Sequence, residues 1–195
     1  MKTRIVSIFE ESAQVKTKFA RENAGLIAEV AGVMAECFSM GGKLIIFGNG
    51  GSAADASHIA GEFVNRFMME RPPLPALALT TDTAVITAIG NDYDFSDIYA
   101  KQLKALAGEN DIVMAISTSG GSQNVLKAMD AAKKKKLKTV ALTGAKGVKM
   151  ASKADFAFVV PSTETPRIQE THMTLGHVLC QMVEDILFEA PRKQK

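Results

Sequence analysis

Apolar positions recur at helical spacing over residues 2–40, without a proline, until Gly41-Gly42 breaks the pattern. This predicts one or two packing helices. Beyond the glycine pair the periodicity changes character. Lys43-Leu44-Ile45-Ile46-Phe47, Ala76-Leu77-Ala78-Leu79, Ile112-Val113-Met114-Ala115-Ile116, Thr139-Val140-Ala141-Leu142 and Phe156-Ala157-Phe158-Val159-Val160 are short, nearly continuous apolar runs. Segments of helical spacing lie between them, notably over residues 53–67, 97–106 and 124–136. Strands apolar on both faces and separated by helices predict a parallel sheet in a doubly wound α/β domain. A last helix is predicted from Pro166 to about Phe188, with Thr165 suited to cap it and Pro166 placed in the first turn, where no N–H bond is lost. Pro72-Pro73-Leu74-Pro75 reads as a rigid approach to the second strand, and no linker or repeat divides the chain.

Composition narrows the function classes. A chain of 195 residues, 47% hydrophobic and 23% charged, suits one domain with a substantial core over residues 1–195. One site is therefore sought. The net charge is +2, and the dense basic run Lys133-Lys134-Lys135-Lys136 falls at the end of a predicted helix, where it complements the dipole. No nucleic-acid partner is expected from it. Cys37 and Cys180 stand apart without CxxC spacing or a secretory signal, which predicts reduced core thiols. No apolar stretch approaches the roughly 18 residues a membrane span needs. A cytoplasmic protein without membrane contact is expected.

In a parallel sheet, ligands sit beyond the carboxyl ends of the strands, and two of those turns are unusual. The first strand runs into Gly48-Asn49-Gly50-Gly51-Ser52 and then a helix, where glycines let the backbone approach a ligand and the helix N-terminus attracts an anion. A tight turn without ligand is the plainer alternative. A dinucleotide fingerprint also fits Gly48-x-Gly50-x-x-Ala53, but the acid it requires about 20 residues on is missing, since Glu70 lies in the proline-rich approach and Asp82 comes later. The third strand ends in Ser117-Thr118-Ser119-Gly120-Gly121-Ser122, whose four hydroxyls and two glycines can surround a phosphate monoester. No lysine-bearing phosphate loop of the nucleoside triphosphate type occurs, so the loop suits a phosphate that is held and not transferred.

The helix after the glycine loop places His58 and Glu62 on one face, four positions apart. The last helix carries Gln169, His172 and His177. At roughly 100° per residue Gln169 and His177 project about 80° apart, which allows them one site, whereas His172 diverges from His177 by about 140° and reads as a packing histidine. A carboxylate and an imidazole close to a sugar carbon are what proton transfer between ketose and aldose requires. A divalent metal would stabilise the enediol charge, and zinc suits a His, Glu, Gln and His set.

The Gly48-Asn49-Gly50-Gly51-Ser52 loop, the Ser117-Thr118-Ser119 loop, and Arg167-Ile168-Gln169-Glu170 followed by His177 together resemble the sugar isomerase (SIS) domain family, and within it the phosphoheptose isomerases. The resemblance covers essentially the whole chain. It implies a three-layer sandwich in which a five-stranded parallel sheet lies between helices, flavodoxin-like in its winding. It also implies a homotetramer with active sites at subunit interfaces and N-terminal helices contributing to them. The implied activity converts sedoheptulose 7-phosphate to D-glycero-D-manno-heptose 7-phosphate, the first step toward heptose in surface glycans such as lipopolysaccharide. Carried over by motif, Glu62 is the base and His177 the acid, while His58, Glu62, Gln169 and His177 hold one zinc ion per subunit. A ligand tightly held on zinc is a poor proton carrier, so a labile metal and a structural one both stay open. Asn49, Gly50, Gly51, Glu62, Asn91, Asp92, Ser117, Thr118, Ser119, Ser122 and Gln169 match substrate-binding positions, although Asn91-Asp92-Tyr93 looks locally like a plain turn. Pro166 replaces an Asp that some relatives carry. A second resemblance, in Asn65-Arg66-Phe67, Glu70-Arg71-Pro72 and Leu74-Pro75-Ala76, is to a tetrameric adaptor that binds the replication initiator DnaA; that relative lacks the acid and base pair.

Overall fold

The computed structural model describes residues 1–189. The N-terminal segment forms one continuous helix, α1 (Lys2–Ser39), not two, and the chain reverses at Gly41, whose φ of +75° a side chain would disfavour. Five strands follow: β1 (Leu44–Gly48), β2 (Ala76–Ala78), β3 (Ile112–Ser117), β4 (Lys138–Gly144) and β5 (Phe156–Val160). Every pairing is parallel, in the order β2-β1-β3-β4-β5. The connections are α2 (Gly51–Val64), α3 (Thr83–Asp92), a 3-10 turn (Phe95–Asp97), α4 (Ile98–Leu106), α5 (Gln123–Lys134) and α6 (Val148–Ala151), and α7 (Thr165–Phe188) closes the fold.

The continuous apolar runs arise because the sheet is covered on both faces. Leu44, Ile46, Met114 and Ile116 point into one core with Val30, Met34, Ile59 and Leu179 of α1, α2 and α7. Ile45, Phe47, Val113 and Ala115 point into the other, against Leu103 and Met129 of α4 and α5. These are the expected three layers. Cys37 and Cys180 are buried and free. Among the described residues no helix is long and apolar enough to cross a membrane.

Three local expectations are corrected. Thr165 does not cap α7: it is the first helical residue, Glu164 precedes it as the cap position, and no side chain caps there. The helix read over 53–67 ends at Val64, because the amides of residues 67–69 bond to a carboxylate of α7 instead of to helical carbonyls. A helix also lies where none was read. The α3 segment is short and has no fully buried residue, Ile86 and Ile89 packing only in part against the core, and Asp82 starts it by accepting from Val85 N–H at 3.0 Å. Asn91 and Asp92 are its last turn, not a free turn.

Candidate functional site

The strand order reverses direction between β1 and β3, and both loops singled out by their residues leave the sheet there. Gly50 adopts φ +56° at the start of α2, which turns the chain sharply from strand to helix. Asn49 is fixed between two partners the sequence did not point to. Its side-chain amide pairs reciprocally with that of Asn124, both bonds 2.8 Å long. The buried Tyr99 hydroxyl donates to the Gly48 carbonyl and lies 3.3 Å from Asn49 Oδ1; burial pushes this phenol up to about 12. Asn49 and Ser122 line one cleft, of about 510 Å³, together with Phe95, Gln123 and Lys127.

The serine loop is held from within. Ser117 Oγ lies 3.2 Å from Ser122 Oγ and accepts from Gly120 N–H, and Thr143 Oγ1 donates to the Ser117 carbonyl at 2.7 Å. Ser119 Oγ accepts from Gly121 N–H at 3.2 Å. Thr118 and Ser119 open onto a second cleft, of about 220 Å³, lined also by Lys146, Thr163 and Thr165. The cation missing from the loop's own sequence is thus supplied by the turn after β4. Asn91 and Asp92 stand exposed at the end of α3, bonded to one another at 2.9 Å.

Helices α2 and α7 run side by side in the same sense. At one end Gln169 packs on Gly51 so closely that a Cβ there would lie 2.2 Å from its Nε2. In the middle Gly176 lets Ile59 approach, and beside this contact three titratable groups converge. His58 Nε2 lies 3.1 Å from His177 Nε2 and 3.1 Å from Glu62 Oε1, and one ligand atom from each residue falls within 4.8 Å of the others. The Phe67 ring stacks on His177, with centroids 5.3 Å apart and planes 26° apart. His58 is exposed and the other two are half-buried, so ligand and solvent reach them. Two imidazole nitrogens and a carboxylate oxygen in this space form a donor set that suits zinc, and the same groups can carry protons. Gln169 lies two helical turns before them on α7, at the glycine loop.

Two further groups refine the picture. Asp55, one turn before His58, has a buried Oδ2 without a hydrogen bond; burial pushes its carboxyl up to about 6, opposed by His58. The spacing of Asp55 to His58 on one helix face was its only signal in the sequence. His172 lies fully buried, donating from Nε2 to the Thr143 carbonyl at 3.3 Å, and burial lowers it to about 4. It belongs to the core, as its direction on the helix predicted.

Comparison with known proteins follows the same line. Residues 8–144 match the SIS domain family. The phosphoheptose isomerase of Thermodesulfovibrio yellowstonii is 62% identical over 192 residues, 98% of this chain and 96% of that protein. That of Aquifex aeolicus is 50% identical over 189 residues, 97% and 99% of the two chains. Among solved structures, a phosphoheptose isomerase from Francisella tularensis superposes with a TM-score of 0.89 at 43% identity, covering 94% of this chain and 97% of its own. The phosphoheptose isomerase GmhA from Neisseria gonorrhoeae gives 0.88 at 40% identity, over 94% and 98%.

Proposed function

The chain belongs to the SIS domain family, and on that premise we propose that it is a phosphoheptose isomerase acting on sedoheptulose 7-phosphate. The observation that carries the reading is the convergence of Glu62 and His177, from two helices far apart in sequence, beside His58 in a solvent-reachable position. The serine loop and Lys146 would hold the phosphate, and Asn49, Gly50, Gly51, Asn91, Asp92 and Gln169 the sugar chain.

In this mechanism Glu62 removes a proton from C1 of the ketose while His177 protonates the carbonyl oxygen on C2, giving an enediol. Glu62 then delivers the proton to C2 and His177 takes the one on the C1 oxygen, which leaves the aldehyde. Glu62 Oε1 faces His58, so the second carboxylate oxygen serves the substrate. His58, Glu62 and His177 fit a zinc ion by donor type, whereas Gln169, the fourth ligand that the resemblance implies, lies apart from them at the glycine loop in this chain; such an ion would polarise the two sugar oxygens as a Lewis acid.

The homotetramer and a cytoplasmic location belong to the same proposal. Ile5, Val6, Ile8 and Phe9 stand exposed on the first turns of α1, an apolar surface of the kind that subunits cover. A sedimentation mass of one chain would remove the tetramer. The adaptor alternative gains no support from its motif, since Arg71 is 7% exposed and bonded to Glu184 inside the fold, and Arg66 pairs with Glu70 at 3.4 Å. The deciding experiment is incubation of the purified chain with sedoheptulose 7-phosphate and zinc, followed by NMR. Appearance of the aldose is expected; none formed would end the isomerase reading.

A further inference from the structure

After α2 ends, the chain leaves helical geometry and its amides need other acceptors. One carboxylate supplies three of them. Glu184 of α7 accepts from the N–H of Phe67 at 2.9 Å, Met68 at 2.8 Å and Met69 at 3.2 Å. It also receives Arg71 Nε at 2.8 Å, and neither side chain of this pair is exposed. The guanidinium reaches back to α2. Its Nη1 donates to the Phe63 carbonyl at 2.9 Å and that of Pro72 at 3.1 Å, and its Nη2 to the Glu62 carbonyl at 2.9 Å. Burial alone would raise the Glu184 carboxyl, but the amides and Arg71 outweigh it and hold the group below the usual carboxylate range.

The pair therefore grips both partners of the site. On one side it bonds the backbone of Glu62 itself. On the other it fixes the three amides beginning with Phe67, whose ring stacks on His177. Phe67 is half-buried against the core while Met68 is 68% exposed, so apolar packing holds the segment at one side chain and the carboxylate fixes its backbone. A buried ion pair is a weak source of net stability, because desolvation offsets much of its attraction. Its converging bonds to a backbone segment are better explained by placement.

We propose that Arg71 and Glu184 are positioning residues for the isomerisation, holding residues 67–69 so that Phe67 sets the His177 ring against His58 and Glu62. The inference rests on the acid and base roles given above. Two variants of the full chain test it: Glu184→Gln, which removes the charge, and Phe67→Leu, which leaves the ion pair whole and removes the ring. The readouts are kcat and KM on sedoheptulose 7-phosphate, and the NMR signals of 13C-labelled ring carbons of the three histidines at one pH. Each variant should lower kcat by about 10- to 100-fold with KM little changed. Each should also move the His177 signal while the buried His172 signal stays in place. An unmoved His177 signal in Phe67→Leu overturns the proposal. So does a Glu184→Gln chain whose His172 signal shifts as far as that of His177, since packing is then lost throughout. If Glu184→Gln does not fold, Arg71→Lys, which keeps the charge and loses the guanidinium bonds to the Phe63 and Glu62 carbonyls, takes its place with the same expected and overturning results. Absence of turnover in the parent chain would remove the isomerase reading, and the histidine spectra would still decide whether this pair sets His177.

Discussion

Two charged clusters flank α7, built on opposite terms. In the first, His58, Glu62 and His177 meet within 4.8 Å but remain reachable from solvent. In the second, Arg71 and Glu184 are sealed from water, and converging hydrogen bonds engage their charges. The contrast shows what each arrangement is for. A group that is to exchange protons or bind an ion needs lone pairs left open, whereas a buried charge is tolerated only when neighbours satisfy it. The two are linked because Arg71, beyond the end of α2, and Glu184 of α7 hold both the last turn of α2, which carries Glu62, and the segment that carries Phe67.

The largest expected effect breaks the open cluster. Glu62→Gln and His177→Gln should each lower kcat by about 10²- to 10⁴-fold with the melting temperature nearly unchanged, measured by turnover and calorimetry. Rates close to the parent in either would withdraw its acid or base role. Next comes the sealed cluster. Arg71→Met strands the Glu184 carboxylate and should cost about 3–5 kcal/mol, with Tm falling by about 2–4 °C per kcal/mol in a chain of this size. A melting curve matching the parent's would show that the pair is not sealed in solution.

The smallest effect sharpens the contrast through the third histidine. Burial lowers His172 from its ordinary 6.5 to about 4, so between those values the unfolded chain binds the proton that the folded chain refuses. Stability contributed here is therefore complete above pH about 6.5 and is lost as pH falls toward 4. The loss is on the order of 3 kcal/mol at about 1.4 kcal/mol per pH unit. His172→Gln should flatten the curve of Tm against pH in that window; an unchanged acid limb would assign it to other groups.

Much of this was legible in the residues. The strands and most helices could be read because burial on both faces imposes continuous apolar runs, and amphipathic helices impose a period near 3.6. His58 and Glu62 were legible as a pair because four residues make about one helical turn. The α3 helix was not, since it is ten residues long and its few apolar positions, Val85, Ile86 and Ile89, are only half-buried and give a weak period. Tyr99 and Asn124 beside Asn49, Lys146 beside Thr118, and Phe67 against His177 left no mark, because each contact joins elements whose sequences are independent.

By itself, then, the sequence determined the α/β class, the order of elements and the residue types at the strand ends, all of which follow from local periodicity and turn chemistry. Only the tertiary structure decided which helix lies against which. The meeting of His58 with His177 spans 119 residues and that of Arg71 with Glu184 spans 113, and no local pattern encodes a distance of that kind. It is fixed when α2 and α7 are packed on one face of the sheet, where burying their apolar sides leaves a single alignment of the charged ones.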